Sequence, residues 1–253
     1  MPLSNYSTMQ RFQRIFQEEL TIPLEESFFI YVPFIVIFAA VLCSLFIGTE
    51  YSDGTIRNKI MIGHRRVDVY LSNLIVCVVA ECFMCLAYFI PNLCVGIPLL
   101  GFFTCGMDRI LGYIGCAFVL CAAVTAIYTL VAMLNQNKAV TAVICILGSF
   151  FMIFGGAYIN SMLDEPEVYK AYSYIDPDTG DMIEQEAMTN PNYISGTKRV
   201  VYEFLNEFLP GNQTVLLWQG LAVHLWQMAL YSGAITIVVT GAGIFFFCNE
   251  DIK

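Results

Sequence analysis

Charged residues are scarce in this sequence. Only 13% of its 253 residues are Asp, Glu, Lys or Arg, whereas about 25% is usual in soluble domains. With 58% hydrophobic residues and a mean hydropathy of +0.67, this shortage excludes a soluble enzyme domain and a soluble disordered chain. Basic residues are the scarcer kind, 12 against 21 acidic ones. The net charge of −9 excludes binding of nucleic acid by neutralisation of its phosphates.

Long uncharged runs account for most of the rest of the chain. A helix needs about 20 apolar residues to cross a bilayer core about 30 Å thick. Five spans are therefore predicted, at residues 28–48, 69–90, 110–134, 139–162 and 225–247. They predict an all-α polytopic protein of the plasma membrane. Residues 91–105 contain Pro91, Gly96 and Pro98, which interrupt helices, so this segment is expected to be re-entrant or interfacial.

The positions of the few basic residues predict the orientation. Basic residues in short loops mark the cytoplasmic side of a membrane. Two short loops on one side of the predicted spans carry five of them: Arg57, Lys59, Arg65, Arg66 and Lys138. Residues 1–27 and 163–214 then lie outside. The first is predicted to be an external amphipathic segment, and the second an acidic extracellular loop with ten acidic and three basic residues.

The predicted outer loop has two local patterns. Turn residues at 176–180 predict a small hairpin between residues 172–175 and 181–184. Residues 200–209 have the periodicity of an amphipathic helix that stops at Pro210. A loop of about 50 residues is too small for a robust core of its own, so a small outer cap is expected.

Ten cysteines lie almost entirely within the apolar runs. There they behave as small hydrophobic residues rather than as a disulfide framework. Cys82 and Cys85 have the spacing of a metal or redox motif, but no second pair and no histidine lies nearby. The cysteines therefore predict no metal ligands and no redox site.

The loop at residues 49–68 has the pattern of a short helix held against the membrane surface. Gly54 breaks the preceding helix, Asp53 or Thr55 can cap a new one, and Gly63 can end it. Three apolar residues are expected on its packed side, namely Ile56, Ile60 and Met61. Three polar residues are expected on its exposed side, namely Arg57, Asn58 and Lys59. Such a helix is suited to a groove on a soluble partner.

This loop resembles the hallmark of the permease subunits of type-2 ATP-binding-cassette (ABC) exporters. That hallmark follows a membrane span and reads Glu-Tyr/Phe, two variable residues, Gly-Thr, an aliphatic residue, Arg/Lys, Asn and Lys, which here begins at Glu50-Tyr51. Family members often have Ser where this chain has His64. The resemblance implies that the following residues couple the spans to an ATPase: Glu50, Gly54, Thr55, Ile56, Arg57, Asn58, Lys59, Gly63, Arg65 and Arg66.

The resemblance also implies partners. The sequence has no G-x-x-x-x-G-K-[ST] motif, so ATP and Mg would be bound by a separate ATPase subunit, and this chain would be no enzyme itself. A second permease chain would complete the membrane unit, which would export a peptide, an antibiotic or a lipid-like compound. Family members have six spans, so the first would be missing here, with residues 1–27 as the outer connection to the second. Alternatively, the chain is a five-span protein with its N-terminus outside.

Glu81 is the one ionisable residue inside a predicted span. A charge there is costly, so its carboxyl is expected to face a cavity or a partner chain, or to stay protonated. It could line a translocation path, or it could form a hydrogen bond between helices, to Tyr128 or Ser149. Two other functions therefore stay open: an ion- or proton-coupled secondary transporter that uses Glu81, and a membrane anchor or assembly protein without transport.

Overall fold

The computed structural model describes residue 24 and residues 28–175 and 182–249. In chain order these form α1 (Val32–Ser52), α2 (Thr55–Met61), α3 (Arg66–Pro91), a π-helical turn (Asn92–Gly96), α4 (Ile97–Leu100), α5 (Met107–Leu134), α6 (Lys138–Asp164), β1 (Val168–Tyr169), β2 (Tyr172–Ile175), β3 (Met182–Gln185), β4 (Met188–Thr189), α7 (Gly196–Phe208), α8 (Pro210–Trp218) and α9 (Leu225–Asn249). The amphipathic segment predicted at residues 1–27 lies outside the described residues except for Leu24.

Five helices in the described part of the chain are long and apolar enough to cross a membrane: Val32–Ser52, Arg66–Leu100, Met107–Leu134, Lys138–Asp164 and Leu225–Asn249. The prediction of an all-α chain with five long apolar helices is confirmed. The first predicted span, 28–48, is displaced, because α1 begins at Val32 and continues to Ser52. Glu50 and Tyr51 therefore belong to a helix and not to a loop.

The α5 helix is the centre of the bundle and packs against α1, α3, α6 and α9. Small side chains let the neighbouring helices approach it, and Ala117, Ala123, Ala126 and Ala132 are all buried. Successive long helices run in opposite directions. We call the end of the bundle that carries α2, the α5–α6 turn and the end of α9 the motif end, and the opposite end the far end.

The predicted break at Pro91 is wrong. The chain stays helical from Arg66 to Leu100, a run of 35 residues. Proline removes one amide donor and crowds the preceding turn of a helix. Here a π-helical turn, Asn92–Gly96, follows directly and absorbs the misfit with one wider turn. The expected interruption of the helix at Pro91 is thus replaced by a helix that continues past the proline to Leu100, and the re-entrant or interfacial placement of residues 91–105 stays a prediction.

The far end carries two nested antiparallel hairpins and one amphipathic helix. β2 pairs with β3, from Tyr172 opposite Gln185 to Ile175 opposite Met182, which confirms the predicted hairpin. Its turn, at residues 176–181, lies outside the described residues. β1 pairs with β4 behind it. The predicted amphipathic helix is α7, whose Phe204 and Phe208 rings lie 5.8 and 5.6 Å from the ring of Tyr231 in α9.

The end of the predicted outer loop, 163–214, is not an exposed cap. Pro210 starts α8 as its first residue, and all eight residues from Pro210 to Leu217 are buried. α8 packs closely on α6. The two backbones are so near at Gly156 that a Cβ atom added there would lie only 2.6 Å from the carbonyl oxygen of Gly211. Gln213 is satisfied in this setting, since its amide donates to the Glu207 and Met228 carbonyls at 2.7 and 3.1 Å.

Candidate functional site

The junction between α1 and α2 is a sharp turn at Gly54. Its φ of 70° lies in the left-handed region, where a Cβ atom is disfavoured. Gly54 itself occupies the N-cap position of α2, and no side chain caps that helix, so the predicted cap by Asp53 or Thr55 is wrong. The glycine ends one helix and starts the next without an intervening loop.

Gly63 ends α2, as predicted. Its φ is 104°, and its amide donates to the Ile60 carbonyl at 3.0 Å. The amide of His64 donates to the Lys59 carbonyl at 3.1 Å. This pair of bonds is a Schellman motif, which satisfies the last carbonyls of a helix. The seven residues of α2 are therefore bounded by a left-handed glycine on each side.

Glu50 holds α2 against two long helices. One carboxylate oxygen accepts from the Lys59 ammonium of α2 at 2.6 Å. The other accepts from the Asn73 amide of α3 at 3.0 Å. Asn73 is buried, and the Glu50 side chain is only 15% exposed. Lys59 was expected on the free polar surface, but it is committed to this contact, which we call the Glu50 clasp (Glu50, Lys59 and Asn73).

Further bonds tie the end of α1 to the bundle. The Tyr51 hydroxyl donates to the Met133 carbonyl at 2.6 Å, near the end of α5. The Lys138 ammonium donates to the Thr49 hydroxyl at 2.7 Å, at the start of α6. Together with the Glu50 clasp, these bonds connect the last turn of α1 to α2, α3, α5 and α6.

Arg66 lies apart from the Glu50 clasp and contacts α9. Its guanidinium donates to the carbonyl oxygens of Phe247 and Cys248 at 3.1 and 3.3 Å. The last carbonyls of a helix have no partner within the helix and carry partial negative charge, so a cation is favourable there. Arg66 therefore joins the start of α3 to the end of the last helix.

One face of α2 packs and the other is free. Ile56 is fully buried and Ile60 packs on the core, as predicted. Met61 is 68% exposed, contrary to its prediction, and Ile62 is 80% exposed. These two stand beside three exposed polar residues, and we call the whole set the α2 surface: Arg57, Asn58, Met61, Ile62 and Arg65.

Glu81 lies in the middle of the bundle, fully buried between α3 and α5. One carboxyl oxygen is hydrogen-bonded to the Thr125 hydroxyl, and the other has no partner among the described residues. The predicted partners, Tyr128 and Ser149, do not make this bond. The hydroxyl of Tyr128 is itself buried, with no hydrogen-bond partner in the described part of the chain. Glu81 is thus both a helix-to-helix contact and a half-satisfied buried carboxyl.

Thr49, Asn73 and Thr125 were missed by the sequence reasoning. Each partner pair joins residues far apart in the chain, such as Glu50 with Asn73 and Glu81 with Thr125. The available signal was a polar side chain inside an apolar run, which fits Asn73 and Thr125 equally. Within the described residues, no three His, Cys, Asp or Glu side chains are grouped so that they could hold a metal ion.

Comparison with protein-family models, with curated proteins and with solved structures finds no match to this chain. The fold and the site define an all-α protein with five potential membrane-crossing helices in its described part and a short, firmly attached helix at one end.

Proposed function

We propose that the chain is the membrane-spanning permease subunit of an ABC exporter. Its motif end would face the cytoplasm across the plasma membrane, and a separate ATPase subunit would dock on the α2 surface. A second permease chain would complete the membrane unit. ATP and Mg would be bound by the ATPase, and a peptide, an antibiotic or a lipid-like compound would move outward.

The α2 surface is the observation that carries this proposal. Met61 and Ile62 expose large apolar side chains next to Arg57 and Arg65, beyond the ends of the long helices. Apolar residues rimmed by polar ones typically mark protein interaction sites. A partner that covers the α2 surface would therefore bind beyond the ends of the long helices, where a soluble subunit can reach it.

The Glu50 clasp supports a coupling role, because it makes α2 a rigid extension of the bundle. A push on α2 would reach α1 through the bond between Lys59 and Glu50. It would reach α3 through the bond between Glu50 and Asn73. A positive-inside anchor would need the basic charges alone, and would need neither the two glycine-bounded ends nor the buried acceptor.

A site-specific cross-link tests the proposal. A photoreactive amino acid at Ile62 should cross-link, in native membranes, to a polypeptide whose sequenced peptides contain a G-x-x-x-x-G-K-[ST] motif. Val223 is the matched control, since it is equally exposed at 80% but lies at the far end. Ile62→Asp should remove ATPase activity that co-purifies with the chain, whereas Val223→Asp should not. Equal cross-linking at both positions, or none to a nucleotide-binding polypeptide, would contradict the proposal.

The buried Glu81 favours a second candidate, a proton- or ion-coupled secondary transporter. A fully buried carboxyl with one unpartnered oxygen is a costly feature, typical of ion and proton paths. The two candidates differ in their energy source. Transport that persists after ATP depletion and collapses with the proton gradient would favour the secondary transporter, and the reverse would favour the ABC exporter.

A further inference from the structure

A pocket of about 200 Å³ opens at the far end of the bundle, between the start of α5 and the turn after α8. Its floor is apolar and aromatic, since Phe29, Ile110 and Tyr113 are each at most 4% exposed. Its rim is formed by the exposed side chains of Arg109 and Trp218, with Gln219 beside them. The pocket is far from the α2 surface and from Glu81, so neither of those sites accounts for it.

The polar side-chain groups that remain free at the rim, among the described residues, are hydrogen-bond donors. Arg109 has no ion-pair partner among the described residues, and the indole N–H of Trp218 has no acceptor there. The Gln219 side-chain oxygen is already used, because it accepts from Asn160 at 3.0 Å, which leaves the amide hydrogens. The Tyr113 hydroxyl is also used, since it donates to the Ala222 carbonyl at 2.9 Å.

No carboxylate lines the pocket within the described part of the chain. Asp108 is the acidic residue next to Arg109 in sequence, in the first turn of α5. Adjacent helix positions point in different directions, so Asp108 does not share the face that carries Arg109. A cation with two neutral donors over an aromatic floor suits a ligand that is anionic, rich in acceptors and attached to an apolar body.

We propose that this pocket binds an anionic phosphate ester, carried by a lipid headgroup or by a soluble molecule, with Arg109 as its cationic contact. Guanidinium groups match phosphate oxygens in geometry and charge. Tryptophan and tyrosine favour the headgroup level of a membrane, which is where a lipid would present such a group. At about 200 Å³ the cavity is smaller than the roughly 300–1,000 Å³ of pockets for drug-sized ligands, so it holds a phosphate ester group rather than a whole lipid. The inference goes beyond the proposed permease function and does not depend on it.

Trp218 provides a direct reporter of the pocket. The chain has only two tryptophans, so Trp226→Phe leaves Trp218 as the single one. The full chain would be placed in nanodiscs that contain either brominated phosphatidylglycerol or brominated phosphatidylcholine. Bromine quenches tryptophan fluorescence at close range. Stronger quenching by phosphatidylglycerol is the expected result, since its headgroup carries a net negative charge.

Arg109 variants test the contact itself. In the Trp226→Phe background, Arg109→Gln should lower the relative binding constant for phosphatidylglycerol about fivefold, the loss expected for one basic contact at a membrane surface. Arg109→Lys should keep part of the preference, which guards against a folding defect in the Gln variant. Lys198→Gln, which removes an exposed cation of the far end outside the pocket, should change nothing.

Soluble glycerol phosphate separates the two sources of a phosphate ester. If it does not displace the brominated phosphatidylglycerol, the ligand is a lipid. If it displaces that lipid and the displacement needs Arg109, the ligand is a water-soluble ester of the same chemistry. Equal quenching by both lipids with no protection by glycerol phosphate would overturn the proposal. A preference that Lys198→Gln reduces as much as Arg109→Gln would overturn it too.

Discussion

At the scale of single residues, the contact between Glu81 and Thr125 raises the question of which side chain donates the hydrogen. The Thr125 hydroxyl has one hydrogen, yet it contacts both a Glu81 oxygen and the Cys121 carbonyl, the latter at 2.8 Å. A protonated Glu81 resolves the competition, because its own hydrogen serves Thr125 while Thr125 donates to Cys121. A neutral carboxyl is also what a buried, apolar site favours.

Glu81→Gln should therefore be tolerated. Glutamine matches the protonated acid in shape and still offers Thr125 a hydrogen-bond partner, so we expect the free energy of unfolding to change by less than about 1 kcal/mol. Glu81→Ala should cost about 2–4 kcal/mol, because it leaves a cavity and removes the hydrogen bond between Glu81 and Thr125. Thermal unfolding of the full chain in one detergent measures both. A Gln variant as unstable as the Ala variant would contradict this expectation.

Glu50 is the residue whose loss should damage the motif end most. Glu50→Ala removes the acceptor of buried Asn73 as well as the partner of Lys59, so we expect a cost of about 2–3 kcal/mol. Lys59→Ala removes only a partly exposed ion pair and should cost about 0–1 kcal/mol. Thermal unfolding of the two single variants and of the double variant forms a double-mutant cycle, which measures the interaction between Glu50 and Lys59. Equal costs for the two single variants would show that the bond to Asn73 contributes nothing.

The residue pairs mark the limit of what the sequence predicts. The local pattern predicted that Ile56 packs and that Gly63 ends α2, because helix periodicity and glycine conformation act within a few residues. The bonds from Glu50 to Asn73 and from Glu81 to Thr125 join different helices. Whether such bonds form depends on how one helix is rotated relative to the other. The spacing of residues within a single helix does not predict that rotation.

At the scale of elements, the contact of α6 with α8 depends on two glycines. A Cβ atom at Gly156 would lie 2.6 Å from the Gly211 carbonyl oxygen, a backbone atom that cannot move aside alone. Gly156→Ala should therefore separate the helices and cost about 1–3 kcal/mol by overpacking. Gly155→Ala is the control, because a Cβ atom there meets nothing within 4 Å, and it should leave stability unchanged or raise it. Thermal unfolding compares the two; similar losses would contradict the close contact.

Prolines explain one mispredicted helix boundary and one helix start that was not predicted. Pro91 was expected to end a helix, but the π-helical turn after it carries the chain on to Leu100. Pro210 was expected to stop a helix, and it does so for α7, but it also starts α8 as its first residue. Proline is tolerated at a first helical position because no amide is needed there. A proline thus reports a local misfit, whereas the surrounding packing decides whether the chain turns away or continues.

At the scale of the whole molecule, the few charges divide between the two ends. Five of the nine described basic residues lie at the motif end: Arg57, Lys59, Arg65, Arg66 and Lys138. Acidic residues such as Glu165, Glu203 and Glu207 lie at the far end, beside the hairpins and α7. The five long helices are long and apolar enough to cross a membrane, and in such an arrangement the two ends would lie on opposite sides, with the basic end favoured on the cytoplasmic side. The net charge of the chain is thus the sum of a motif end that is rich in basic residues and a far end that is rich in acidic ones.

This arrangement predicts opposite accessibility of the two ends in cells. We expect a membrane-impermeant maleimide to label Lys198→Cys, on exposed α7, in intact cells. His64→Cys, exposed after α2, should react only in inside-out vesicles, together with the native exposed Cys248. Peptide mass spectrometry resolves each position from the other native cysteines, and detergent-solubilised protein, in which both should react, controls for reactivity. Labelling of both introduced cysteines from the same side would rule out an odd number of crossings between them.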